Sequence, residues 1–106
     1  MYHKPTSTEN ATKLPLPQDA WMLYRFDNHE LIQLHLSPGE SMEKHINEWR
    51  IVFFVIRGSG LLDVEGTEYK LEEEQSIAVK PGLERFWKNS GEGNLELLAI
   101  KTEEQV

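Results

Sequence analysis

Four histidines and no cysteine set the terms for any chemistry in this 106-residue chain. Thiolate zinc sites, iron–sulfur clusters, disulfides and a cysteine nucleophile are excluded, and a metal would have to bind through nitrogen and oxygen. The segment HINEWRIVFFVIRGSG, residues 45–60, opens with His45, carries an amide at Asn47, and closes in a Gly-Ser-Gly turn. Farther along, Arg85 and Trp87 are two residues apart in RFWKN, which puts both on one side of an extended strand. His45 has the pKa range of a general base. Arg85 is a permanent cation whose planar fork of donors suits a carboxylate or phosphate. Gln33 and His35 precede this region and Glu48 lies inside it; His35 and Glu48, with His45, are chemically fit to rebuild a divalent-metal site. No phosphate-cradling glycine loop, Gly-x-Ser-x-Gly elbow or helical pair of zinc histidines is present.

Composition narrows the partners. A formal net charge of −7 leaves no basic stripe to neutralise phosphates, so neither nucleic acid nor an anionic membrane is expected. No apolar run approaches the roughly 20 residues of a membrane span, and the N-terminus lacks the charged-then-apolar order of a signal peptide. The expectation is a cytoplasmic protein.

The elements that must position these residues read as strands. Short apolar segments (WMLYRF, ELIQLHL, RIVFFVI, GLLDV, TEYKL, SIAV, RFWKN and LELLAI) recur between turn clusters every 8 to 12 residues or so, the pattern of an all-β sandwich or barrel. SPGE, RGSG, VEGT, KPGLE and NSGEGN supply the reversals, and Val64-Glu65-Gly66-Thr67 is the predicted hairpin turn. GESMEKHINEW and YKLEEEQS are the two helix-compatible windows; Pro38-Gly39 and the β-rich run that follows shorten the first, and LEEEQS fits a solvated turn between strands better. Residues 1–19, rich in Lys, Thr, Asn and Pro, are expected to form a flexible arm whose KLPLP lies extended against the body or a partner subunit. Residues 20–102 are expected to be one barrel domain and 103–106 a C-terminal tail.

The order Gly39, five residues, His45, one residue, Asn47, then a strand ending at Gly58 resembles the first motif of the cupin superfamily. Gly82, two residues, Arg85, three residues and Asn89 match the spacing of the second. The resemblance spans about residues 30 to 101. It implies a small single-domain cupin: an all-β jelly-roll barrel, the double-stranded β-helix, open at one end around a pocket. Such proteins commonly form homodimers. A typical cupin holds a divalent metal with two histidines, a glutamate and a third histidine; those places here read His45, Asn47, Ile51 and Arg85. An amide is a weak ligand, isoleucine is none, and a guanidinium repels a nearby dication by several kcal/mol at an effective dielectric near ~20. No metal cofactor is therefore expected, and the alternative is one rebuilt by His45, His35 and Glu48.

Alternation along the strand puts Ile51, Phe53 and Val55 on an inner face and Val52, Phe54 and Ile56 on an outer one. Both faces are apolar, so the outer one must be covered by another layer, the arm or a second subunit. The functional expectation is a pocket for a small polar or anionic organic molecule, contacted by His45, Asn47, Arg85, Trp87, Gln33 and Phe53. A plainer reading pairs Arg85 with Glu48 or Glu84 as an internal plug. Two others stay open: an isomerase, epimerase or residual metalloenzyme with His45 as its catalytic candidate, and a structural or regulatory dimer. Trp49, next to the His-x-Asn turn, is expected at the mouth, and most other aromatics in the core.

Overall fold

In the computed structural model, which describes residues 3–103, every element is a β-strand. Among the described residues neither helix-compatible window is helical, and no helix is long and apolar enough to cross a membrane. In chain order the strands are β1 (Thr12–Lys13), β2 (Asp19–Phe26), β3 (His29–Leu36), β4 (His45–Ile46) and β5 (Arg50–Arg57). They continue with β6 (Gly60–Val64), β7 (Thr67–Leu71), β8 (Ser76–Val79), β9 (Glu84–Lys88) and β10 (Leu95–Thr102). Two antiparallel sheets face each other: six strands in the order β1-β2-β3-β10-β5-β8, and four in the order β4-β9-β6-β7. This is the predicted all-β jelly-roll barrel.

The core lies between the sheets and follows the two-residue period. Ile51, Phe53 and Val55 are buried, whereas Val52, Phe54 and Ile56 are half-buried on the other side of β5. Leu34 and Leu36 from β3, Leu95, Leu97 and Ala99 from β10, and Leu62 and Trp87 from the smaller sheet complete the centre. The Trp87 ring meets Phe53 edge-on, with centroids 5.4 Å apart.

Two motif residues are explained by packing alone. Asn89 is buried; its amide nitrogen donates to the Leu36 and Gly93 carbonyls at 2.9 Å, and its Oδ1 accepts from Gly91 N–H at 3.0 Å, tying the end of β9 to the loop before β10. Gly58 closes β5 with φ +85°, and a Cβ there would come within 2.4 Å of the Asn94 carbonyl oxygen, so the turn admits no side chain. The predicted hairpin turn also forms: Glu65 and Gly66 both have positive φ (51° and 89°) between the paired ends Val64 and Thr67 of β6 and β7.

Within residues 1–19, β1 pairs with β2, Leu14 packs against the core, and the Tyr24 hydroxyl donates to the Lys4 carbonyl at 2.6 Å. Of the predicted tail, only Glu103 lies inside the described residues.

Candidate functional site

A cavity of about 300 Å³ lies between the sheets. Arg85, Trp87 and Phe53 line it from β9 and β5, His45 from β4, and Asn47 from the short connection to β5. Five of the six ligand-contact residues expected from sequence are thus together. The sixth, Gln33, is not. On β3 the buried parity is that of Leu34 and Leu36, so Gln33 and His35 point away from the cavity. There Gln33 Nε2 is hydrogen-bonded to His35 Nε2 at 3.0 Å, and the His35 ring packs edge-on against Trp21 with centroids 4.8 Å apart.

Arg85 dominates the site. It is only 2 % exposed, and among the described residues its Nε and Nη2 have no hydrogen-bond partner and it forms no ion pair. Glu48 and Glu84, the partners of the plug reading, are both exposed. Burial lowers the pKa of the guanidinium from its ordinary value, yet arginine keeps its proton throughout the range in which proteins are folded. Trp87 Nε1 is also buried and unpartnered among the described residues.

His45 sits directly across from Arg85 on the β4–β9 pair. Its side chain is exposed at the rim of the cavity, and its pKa is lowered, first by partial desolvation there and then by the Arg85 charge, with a bond to the Glu43 carbonyl opposing and Lys101 adding a smaller push downward. That bond, 3.3 Å from Nδ1, requires an N–H, so the neutral ring presents Nε2 as an acceptor. Asn47 is committed differently. Its Oδ1 accepts the Trp49 N–H at 2.8 Å and its backbone carbonyl accepts from Gly82 at 2.9 Å, which leaves the amide NH₂ as its free face. Arg85 and the Asn47 NH₂, both on the cavity lining, are donors that suit an anion.

The same groups do not fit a divalent metal. Ile51 supplies no donor, the Asn47 oxygen is already used, and Arg85 carries a like charge. The rebuilt set does not assemble either. His35 is on the outer side of β3, with Nε2 3.7 Å from Glu96, and Glu48 is exposed off the cavity. Among the described residues no group of three or more His, Cys, Asp or Glu is placed to hold a metal ion.

Sequence reading missed the polar rim and the roof. Glu30 and Lys101 line the cavity with Arg25; the Glu30 carboxylate is 3.0 Å from Arg25 Nη2 and 3.3 Å from Lys101 Nζ. Glu30 shares parity with Leu34, and Lys101 with Ala99, so the period-two pattern turns each of them inward but does not say that they meet. Leu14 and Leu16, from the segment read as an arm, close one side of the cavity. Trp49 is half-buried beside the site, with Lys101 Nζ 5.8 Å above its ring, but it does not line the cavity.

Solved structures of the same shape are numerous. The chain superposes on a predicted oxalate decarboxylase from Thermotoga maritima with a TM-score of 0.83 at 15% identity, covering 95% of this chain and 100% of that one. An RmlC-like cupin family protein with a double-stranded β-helix fold, from Methanocaldococcus jannaschii, gives 0.81 at 19% identity, covering 97% and 93%. The polyketide cyclase RemF from Streptomyces resistomycificus gives 0.81 at 18% identity, covering 95% and 80%. These identities establish a shared fold. No curated protein is a significant match. The family model for the cupin domain matches residues 33–101, a span that runs from within β3 to within β10 and includes His45, Asn47 and Arg85; the chain belongs to the cupin family.

Proposed function

We propose that this cupin binds a small organic anion in its barrel, at Arg85, without a divalent metal. The observation that carries this reading is the buried guanidinium on the cavity wall, whose Nε and Nη2 have no partner among the described residues. Burying a charge unpaired costs several kcal/mol, and a bound anion supplies both the missing charge and the missing acceptors. The lining adds to the same field: Arg25, Arg85 and Lys101 stand against the single carboxylate of Glu30, in a chain whose net charge is −7. Such a local reversal of sign concentrates anions at the opening.

The test is calorimetric titration of short carboxylates and phosphates into protein purified without added ions, with metal content measured on the same sample. Saturable binding that is lost in Arg85→Gln, in metal-free protein, is expected. Stoichiometric metal coordinated by His45 would overturn the reading.

The state of His45 supports a second reading, proton transfer on the bound anion. A neutral imidazole with Nε2 free, opposite a cation that steadies developing negative charge, is the arrangement of a base in an isomerase or epimerase. Exchange of a bound ligand's α-proton in D₂O, abolished by His45→Gln, checks it. We further propose that two copies associate through the outer face of the six-stranded sheet, where Val52, Phe54, Leu98 and Ile100 form neighbouring apolar rows.

A further inference from the structure

The anion-binding reading leaves the rest of the ligand unspecified, and the walls specify it. Met22 from β2, Ile32 and Leu34 from β3, Ile51 and Phe53 from β5 and Ala99 from β10 present only hydrocarbon and sulfur side chains. Leu14 and Leu16 extend that surface across the roof. A sugar placed here could hydrogen-bond to the polar rim of His45, Asn47, Glu30 and Lys101, but the hydroxyls reaching past it would face aliphatic groups that return no hydrogen bonds, at a cost of about 1–3 kcal/mol for each one stranded. An apolar body instead gains roughly 25 cal/mol for every Å² of surface removed from water.

The charge arrangement points the same way. Arg25 and Lys101 both pair with Glu30, at 3.0 Å and 3.3 Å, so neither is free to take a second anionic group. One cation, Arg85, is left to be compensated among the charged groups lining the cavity, which fits one negative charge. Its two unpartnered atoms, Nε and Nη2, form the edge of the guanidinium whose N–H bonds run parallel, the edge that meets both oxygens of a carboxylate. These nitrogens expose almost none of their surface, so an arriving oxygen must displace a neighbour. Met22 and Met42, both lining the cavity, have unbranched side chains that re-pack at low cost.

We infer that the ligand is a small monocarboxylate on an apolar body, of a size suited to a cavity of about 300 Å³. An arylalkanoate or a medium-chain fatty acid has this form; a sugar phosphate or a short di-acid does not. The carboxylate lies against the fork of Arg85, with the Asn47 amide as a further donor, and the apolar body runs between Phe53, Ile32 and the Leu14–Leu16 roof. This inference rests on the anion reading above and adds the ligand's class.

The experiment compares 3-phenylpropionate and octanoate with 3-phenylpropanamide, glucose 6-phosphate and succinate, by calorimetry on the full chain. One of the two apolar acids is expected to bind at least about tenfold more tightly than the amide, the loss that follows from removing a charge-assisted hydrogen bond. The same acid is expected to bind more tightly than either polar anion. Arg85→Lys keeps the charge but loses the fork, and should weaken the acid about tenfold while leaving the amide unchanged. If that variant does not fold, the comparison of acid with amide on the unaltered protein still decides. Tighter binding of glucose 6-phosphate or succinate overturns the ligand class and leaves the anion reading standing. Equal binding of acid and amide, or binding of none of the five, overturns both.

Discussion

His45 and Arg85 face each other as direct partners across the β4–β9 pair, and the permanent charge of one holds down the basicity of the other. Partial desolvation at the cavity rim lowers the His45 pKa most, Arg85 adds to it, and Lys101 contributes in the same direction against the Glu43 carbonyl. An anion between the two residues would cancel that repulsion and raise the pKa again. Binding therefore strengthens as pH falls from 7 toward about 5.5, where a carboxylate ligand is still ionised. Folding responds with the opposite sign. The folded pKa lies below the unfolded one, so between about 6.5 and the folded value the unfolded chain holds more protons, and stability contributed above 6.5 is lost as pH falls through that window. NMR titration of the His45 ring checks both; a pKa above 6.5 in the ligand-free protein is the outcome against them.

Arg85→Met separates a binding residue from a plug. Removing a buried charge that has no partner among the described residues relieves its desolvation, and methionine fills comparable space. The variant should gain about 1 kcal/mol in stability, a rise of roughly 5 °C in Tm for a domain this size, while anion binding disappears. A buried ion pair broken by the same substitution would instead lose about 3–5 kcal/mol. Thermal denaturation with and without ligand reads the difference.

The barrel and the inner edge of the site were legible because both rest on strict two-residue alternation. Ile51, Phe53 and Val55 face inward, as do Arg85 and Trp87, and Gly58 and Asn89 close their loops where spacing placed them. Gln33 and His35 were misplaced although IQLHL alternates strictly: Ile32, Leu34 and Leu36 take the inner parity and leave Gln33 and His35, with Leu31, on the outer one, so the two-residue period already directed both away from the cavity. The rim was hidden for a different reason. Arg25, Glu30 and Lys101 meet through the register of β2, β3 and β10, with Glu30 opposite both cations, and that register is set by the assembled sheet rather than by any local pattern. Leu14 and Leu16 sit in a proline-rich stretch whose composition reads as unstructured, and their apolar side chains act only once the barrel offers a cavity to cover.

Gly58 and Gly39 make a matched pair for measuring steric cost. Both have positive φ, 85° and 84°, but a Cβ at Gly39 meets nothing within 4 Å, whereas at Gly58 it would lie 2.4 Å from a backbone oxygen. Gly39→Ala should cost about 1–2 kcal/mol from the left-handed conformation alone. Gly58→Ala must also move the loop at Asn94, and should cost at least about 2 kcal/mol more. Urea denaturation of the two variants gives the difference directly; equal losses would mean that the loop before β10 shifts freely.

The outer face of the six-stranded sheet is where a second copy would bind. Leu31, Ile100, Val52 and Ala78 are successive cross-strand neighbours from β3 to β8, and Leu98 and Phe54 form the next row. Ile100, at 38 % exposed, is central to this surface and points away from the cavity that Ala99 lines. A symmetric contact buries each row against its own counterpart, so one charge placed there enters the interface twice. Ile100→Glu should therefore convert a species of twice 12.3 kDa to one of 12.3 kDa in sedimentation at micromolar concentration, with carboxylate binding unaltered. If the unaltered protein already sediments as a monomer at tens of micromolar, the dimer is wrong. The apolar rows would then be a surface that β10 and β5 leave to solvent.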